Sequence, residues 1–473
     1  MQKPKFKFNK HLIGLLALFF FLLFVECAMH WIGKNFGKIN LDEIALVLQT
    51  GRGGVDRDLL FSFLRKVVLR AGMYSVLLTF LCGFKHRFQR TVIIAIAVVL
   101  GGLIVVRGVQ HDFQVGSFMP GGYTDFYERE YVAPDTADIS FPRKRNVVVI
   151  ALESMEKSFA DESVFGPGGL TPNITRLEQE NVSFDRYNSA PGFTHTIAAI
   201  TGFVSGLPLL YTSYKKTEKM RGAHGIGEIF AKNGYQTWAM FPASGEFSLK
   251  SDFLARMGFE NIIDGVEFRL SLDYKPDATP FQGIDDATLF REARKKFPAI
   301  IKSGRPYFVF METVNTHCYG IGTDGCAAMG FERDTMSGIA KCDDKIIYDF
   351  VAWLRKADPT AVIILLNDHE QKSGQIARQL KNVKNRNLAN VFINTNVFAG
   401  ADLTRPVLAA DFMPTIIESA GGIINGCKLG LGVSLTARCA DVQTLRERFG
   451  DADLAKYLQG RNKMYYKLNL GDK

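Results

Sequence analysis

Charge is scarce in this sequence, and the scarcity is uneven. Only 22% of its 473 residues are Asp, Glu, Lys or Arg, against 47% hydrophobic residues. The deficit sits in the first hundred or so residues, which excludes a uniformly water-soluble chain and points to membrane segments followed by a soluble domain. Outside the short KPKFKFNK start, which runs straight into an apolar segment, lysine and arginine form no cluster interleaved with aromatics that would favour nucleic acid. The net charge of +9 therefore suits an anionic bilayer better than nucleic acid. There is no internal repeat and no low-complexity tract, which leaves out repeat architectures. Cysteine is also sparse, with 7 residues and no CxxC spacing, and this argues against a structural zinc site.

What is present begins with four lysines before an apolar run from Leu12 to Val25. No small-x-small cleavage site follows, and Glu26 stands where a lipoprotein signal needs a small residue before Cys27. An uncleaved first span is expected, running on through Ile32. A weaker second candidate covers Ala71–Phe84 and a clear third covers Thr91–Val106. The basic loop KHRFQR at 85–90 and the basic start belong on the cytoplasmic side, which requires three crossings and puts everything after Arg107 outside the cytoplasm. The expected division is a membrane domain over 1–107, an extended linker over 108–142, a catalytic domain over 143–440 and a C-terminal tail over 441–473. Five cysteines fall in the outer part, where an oxidising compartment allows two disulfides. Cys326–Cys342 and Cys427–Cys439 are the pairings expected, although spacing does not fix connectivity.

From about Arg143 short apolar runs alternate with helical spacing. NVVVIAL (146–152), QTWAMF (236–241), YFVFMETV (307–314), AVIILL (361–366) and NVFINT (390–395) read as buried strands. Segments such as Thr171–Asn181 and Asp285–Ser303 read as helices between them. This is the pattern of an α/β domain around a mainly parallel sheet. Ligands of such sheets bind beyond the carboxyl ends of the strands. Here those ends deliver Glu153, His317, and Asp368 with His369, a donor set suited to Zn²⁺ or Mn²⁺. The stretch APGFTHTIAAITG (190–202) adds Thr194 and Thr196, which taken alone fit helix caps as well as nucleophiles.

These landmarks resemble the alkaline phosphatase/sulfatase superfamily. NVVVIALES, LTPNITRLEQENVSFDRYNSA (170–190), NDHE and DFMPTIIESAGG (411–422) follow its order over about Asn146 to Leu435. A closer likeness is to membrane-anchored phosphoglycerol transferases of the osmoregulated periplasmic glucan and lipoteichoic acid synthase type. It rests on PGFTHTIAAITGFVSGLPL, GIDDATLFREA (283–293), TVNTHCYG (313–320) and LGLGVSL (429–435), with echoes at 40–55 and 125–134.

The resemblance implies an alkaline-phosphatase-like sandwich preceded by transmembrane helices. It implies that Glu153, Thr196, Asp368 and His369 hold one divalent metal, Mn²⁺ or Zn²⁺ with Mg²⁺ as a further option, and that Thr196 is the nucleophile. His317 then contacts the substrate or leaving group, and Lys250 the phosphate or headgroup. The family's formylglycine motif, Cys/Ser-x-Pro-x-Arg, is missing near residue 196, which argues against sulfate esters. His195 and Cys318 have no counterpart in the motif. The expected activity is transfer of phosphoglycerol from phosphatidylglycerol to a hydroxyl of a periplasmic glucan or other glycan, at the inner membrane. The alternatives are a phosphoethanolamine transferase acting on lipid A or glycan, a sulfatase-like hydrolase, and a non-catalytic scaffold of the same fold. No nucleic-acid partner is expected, and the oligomeric state is left open.

Overall fold

A computed structural model describes residues 10–36, 61–83, 87–111, 121–210, 220–272, 283–317, 320–372, 374–380, 383 and 386–471. The basic start before Lys10, the segment 40–55 and Cys318 lie outside these residues. The chain divides into two compact units, one over Met1–Leu41 and Val55–Phe118, the other over Asp42–Gly54 and Met119–Lys473.

The first unit carries the helices α1 (Lys10–Phe36), α2 (Arg70–Gly83) and α3 (Arg87–His111). Trp31 ties α1 to the helical residues 61–69 that run into α2: its indole N–H donates to Ser62 Oγ at 3.1 Å, and its ring meets Phe63 edge-on. Apolar side chains such as Phe21, Met73, Phe80 and Val99 face outward, as on helices solvated by lipid. Of the three expected spans, the first stands out by length and composition. Among the described residues one helix, Leu12–Ile32, is long and apolar enough to cross a bilayer. The helical run 61–83 that contains α2 carries Arg65, Lys66 and Arg70, and the apolar stretch of α3, a helix of 25 residues, covers Thr91–Leu103 among the described residues.

The second unit is built on a six-stranded sheet. Its strands are β1 (Val147–Leu152), β2 (Gln236–Met240), β3 (Asn261–Ile263), β4 (Tyr307–Glu312), β5 (Val362–Asn367) and β6 (Asn390–Ile393), in the order β3-β2-β4-β1-β5-β6. All pairings are parallel except β5 with β6. β1, β4 and β5 are buried along their whole length, which is why they read as unbroken apolar runs rather than as alternation. Val147, Val149 and Ala151 enter one hydrophobic cluster, and Val148, Ile150 and Leu152 enter the other.

Helices cover both faces. α4 (Pro172–Glu180), α5 (Thr196–Ser205), α6 (Lys250–Arg256), α7 (Asp286–Lys302), α8 (Met336–Ala357) and α9 (Phe412–Ser419) follow in chain order. α4, α7 and α8 pack in the cluster of Val148, whereas α5, α6 and α9 pack in that of Val147. Side-chain caps start α7 (Asp285 to the Thr288 N–H) and α8 (Thr335 to the Gly338 N–H), satisfying donors that a first turn leaves over. α5 ends at Gly206, whose φ of +66° requires glycine and whose absent Cβ would lie 3.0 Å from Gly430 Cα.

Two stretches expected to be loose are packed. Within the segment read as a linker, Phe126 and Tyr127 are buried, Phe126 stacks on Tyr457, and Tyr127 Oη donates to the Leu458 carbonyl at 2.8 Å. In the segment read as a tail, Leu445, Leu454 and Leu458 join the same core cluster. The disulfides Cys326–Cys342 and Cys427–Cys439 both form.

Candidate active site

The carboxyl edge of the sheet collects the predicted residues. β1 and β5 are adjacent and in register from Val147 opposite Val362 to Leu152 opposite Asn367. Glu153 and Asp368 therefore leave the sheet side by side. Asp368 N–H donates back to the Leu152 carbonyl at 3.1 Å, and Glu153 N–H donates to Thr313 Oγ1, just past β4, at 2.9 Å. The loop after β5 is folded on itself by Asn367, whose Oδ1 accepts the Met155 N–H at 2.7 Å and whose amide donates to the His369 carbonyl at 3.2 Å.

Glu153, Asp368 and His369 each offer a ligand atom, and these atoms lie within 4.8 Å of one another. Thr196, the first residue of α5, brings its hydroxyl to the same point: Oγ1 is 3.0 Å from Glu153 Oε2 and 3.3 Å from His369 Nε2. His195 sits at the N-cap, where its carbonyl accepts the Ala198 and Ala199 N–H groups at 2.9 Å each. That gives the buried His195 a backbone role at the start of α5.

The tautomer of His369 follows from its partners. Nδ1 is 2.9 Å from the Glu370 carbonyl, which can only accept, so Nδ1 carries a proton and Nε2 is the nitrogen left to offer a lone pair to an ion. Burial pushes the Glu153 carboxyl up to about 7, the neighbouring Asp368 pushes the same way, and His369 opposes them. Burial also pushes Asp368 up to about 7, against the N–H bonds it accepts from Ser154 and His369. Asp368 Oδ2 is buried without a hydrogen-bond partner. An orphaned carboxylate oxygen, a second buried carboxylate, an imidazole lone pair and a hydroxyl fit a divalent cation. The residues present match the metal that the fold implies.

The other two predicted residues stand apart from this group. Part of His317 reaches solvent, yet the ring lies deep enough that burial first, and then the neighbouring His369, Lys372 and Lys250, push it down to about 3. It is a neutral imidazole. Lys250 is not an open cation. It is 3% exposed, both Glu312 oxygens take its ammonium, and it lies over the Phe241 ring at 5.0 Å.

Sequence reasoning passed over Glu312, Asn367 and Ser154. Glu312 reads as the last residue of an apolar strand, and Asn367 as a loop opener. For Ser154, only its place after Glu153 was a signal.

A family model described as Sulfatase matches residues 145–422. A curated phosphoglycerol transferase I of Xanthomonas euvesicatoria pv. vesicatoria is 26% identical over 333 residues, covering 67% of this chain and 46% of that protein. A phosphoglycerol transferase I of Salmonella choleraesuis is 29% identical over 240 residues, covering 48% and 31% respectively. The chain thus spans less than half the length of these relatives. Among solved structures, lipooligosaccharide phosphoethanolamine transferase A, an integral membrane protein of Neisseria meningitidis, aligns with a TM-score of 0.53 at 14% identity, over 90% of this chain and 87% of that one. That likeness is one of fold.

Proposed function

The chain belongs to the sulfatase family, and from that premise we propose that it is a metal-dependent phosphotransferase rather than a sulfatase. Family membership gives the fold, and the site residues decide the chemistry. The donor in this reading is phosphatidylglycerol and the acceptor a hydroxyl of a periplasmic glucan or other glycan. The observation that carries it is the Thr196 hydroxyl, held within hydrogen-bond reach of both Glu153 and His369 at the start of a helix. The names of the two curated relatives favour a phosphoglycerol group over phosphoethanolamine.

In this mechanism Glu153, Thr196, Asp368 and His369 would hold one divalent ion, Mn²⁺ or Zn²⁺. When bound, such an ion would lower the pKa of the threonine hydroxyl and neutralise charge gathering on phosphoryl oxygens. Thr196 Oγ1 forms a bond to phosphorus as the bond to the diacylglycerol oxygen breaks. The proton lost from Thr196 ends on diacylglycerol, which leaves as the free alcohol. The N-terminus of α5 faces the same phosphate with backbone N–H groups and its positive dipole end. The acceptor hydroxyl then attacks phosphorus and the bond to Thr196 breaks. Neutral His317 takes the acceptor's proton, which returns to Thr196.

The helix Leu12–Ile32 holds the chain in the inner membrane, with the catalytic domain on the periplasmic side. Two disulfides in the domain suit that oxidising compartment. The test is diacylglycerol release by the full chain, with phosphatidylglycerol and phosphatidylethanolamine vesicles side by side. Release from phosphatidylglycerol, dependent on Thr196, is the expected result. Preferential release from phosphatidylethanolamine would move the assignment to a phosphoethanolamine transferase.

A further inference from the structure

Ser154 follows directly on Glu153 and is one of the few non-glycine residues with a left-handed backbone, at φ +52°. A serine there is disfavoured by about 1–2 kcal/mol against the right-handed or extended regions. It is also 1% exposed, so solvent does not explain the side chain. What the conformation achieves is visible in its contacts. Turning left at Ser154 aims its N–H at Asp368 Oδ1, 2.8 Å away. The same turn brings its hydroxyl to Glu153 Oε1 at 2.6 Å, with the hydroxyl donating. The oxygen of that hydroxyl lies 3.4 Å from His369 Nδ1. One small residue thus touches all three acid and imidazole donors of the candidate metal group, and in each carboxylate it engages one oxygen. In Glu153 the other oxygen, Oε2, faces Thr196, while Oε1 itself lies 3.4 Å from His369 Nε2. In Asp368 the other oxygen, Oδ2, is the one without a hydrogen-bond partner.

We propose that Ser154 is the positioning residue of the metal centre: it fixes one oxygen of each carboxylate so that the other is presented to the ion, and it steadies the ring of His369. The inference rests on the metal reading given above. Partners of this kind typically change metal affinity about 10- to 100-fold when removed. Two variants separate the hydroxyl from the backbone. Ser154→Ala removes the hydroxyl and keeps the left-handed cost, whereas Ser154→Gly removes the hydroxyl and relieves that cost.

The experiment titrates full-length wild type and both variants, in detergent micelles, with Mn²⁺ and separately with Zn²⁺. Free Mn²⁺ is read by electron paramagnetic resonance, Zn²⁺ by competition with a chromophoric chelator, and the melting temperature is recorded with and without metal. The expected result is a Kd weaker by about 10- to 100-fold in both variants, with a correspondingly smaller metal-induced rise in melting temperature. The metal-free glycine variant should melt no lower than the alanine variant. Wild-type affinity in both variants, within about threefold on that scale, overturns the role given to Ser154 and leaves the metal reading standing. If neither ion binds the wild type stoichiometrically, both fall together.

Discussion

The site has two sides that are built differently. On the side of β1 and β5, Glu153, Asp368 and His369 are held by neighbouring backbone and short side chains, through Ser154, Thr313 and Asn367. On the side of β4 and α6, Lys250 and Glu312 hold each other as a buried ion pair, and His317 stands neutral beside them. The first side is prearranged for a cation, with its donors already converged. The second is closed on itself, with Lys250 already neutralised by Glu312, so a phosphate approaching Lys250 would compete with that carboxylate. In the proposed reading the metal would bind to the fold as it stands, whereas headgroup recognition by Lys250 would require Lys250 and Glu312 to separate.

The contrast can be broken most severely at Thr196. Thr196→Ala is expected to lower diacylglycerol release by about 10⁴-fold or more, the scale of losing a nucleophile that acts as part of a unit. It should leave the ligands supplied by Glu153, Asp368 and His369 able to bind Mn²⁺ measurably. Next in size is the buried pair. Glu312→Gln leaves the Lys250 charge without its counter-ion and should destabilise the catalytic domain by about 3–5 kcal/mol, read by denaturant melts. The double variant Lys250→Met with Glu312→Leu should recover most of that stability. If Lys250 serves the phosphate, the double variant stays poorly active although it is folded. A stable double variant with wild-type turnover would make the pair purely structural.

His317→Gln is expected to cost about 10²- to 10³-fold in turnover, within the range of positioned proton transfer. Its Mn²⁺ affinity should stay unchanged, because the residue lies outside the ligand group. The smallest effect concerns the support beneath His317. Asp286 accepts the Val314 and Asn315 N–H groups, and Asn315 in turn donates to Asp343, so two buried carboxyls hold the loop that leads to His317. Burial pushes both upward, Asp343 to about 7, and the charge of Asp343 pushes Asp286 further. A carboxyl raised in the fold binds a proton that the unfolded chain has released. Its contribution to stability is full below about pH 4 and is lost as the pH rises towards 7. Asp343→Asn removes that loss. The stability of the variant relative to wild type should therefore improve between pH 5 and pH 8 by on the order of 1–2 kcal/mol. A pH-independent difference would contradict the raised pair.

Much of this arrangement was legible in the residues. Five of the six strands were legible, β1, β4 and β5 as unbroken apolar runs because a parallel sheet buries both faces, and the ends of β1 and β5 named Glu153, Asp368 and His369. β3 was missed because Asn261–Ile263 is only 3 residues long. Phe126 and Tyr127 looked like linker because their partners, Tyr457 and Leu458, lie more than 300 residues away. No local pattern carries such a contact. Glu312 and Ser154 were hidden for different reasons. A carboxylate at the end of an apolar strand shows its purpose only once Lys250 is seen against it. A left-handed serine is a fact of φ, on which the identity of a single residue is silent. Of the three membrane segments that apolar composition suggested, Leu12–Ile32 is the one long and apolar enough to cross among the described residues.

The most direct test of the account is to catch the proposed intermediate. Full-length enzyme loaded with Mn²⁺ would be mixed with phosphatidylglycerol in the absence of acceptor, quenched in acid and digested for mass spectrometry. The account predicts a single glycerophosphoryl group on the peptide holding Thr196, formed together with diacylglycerol and absent from Thr196→Ala. Diacylglycerol released while Thr196 stays unmodified, or released equally by Thr196→Ala, would contradict it.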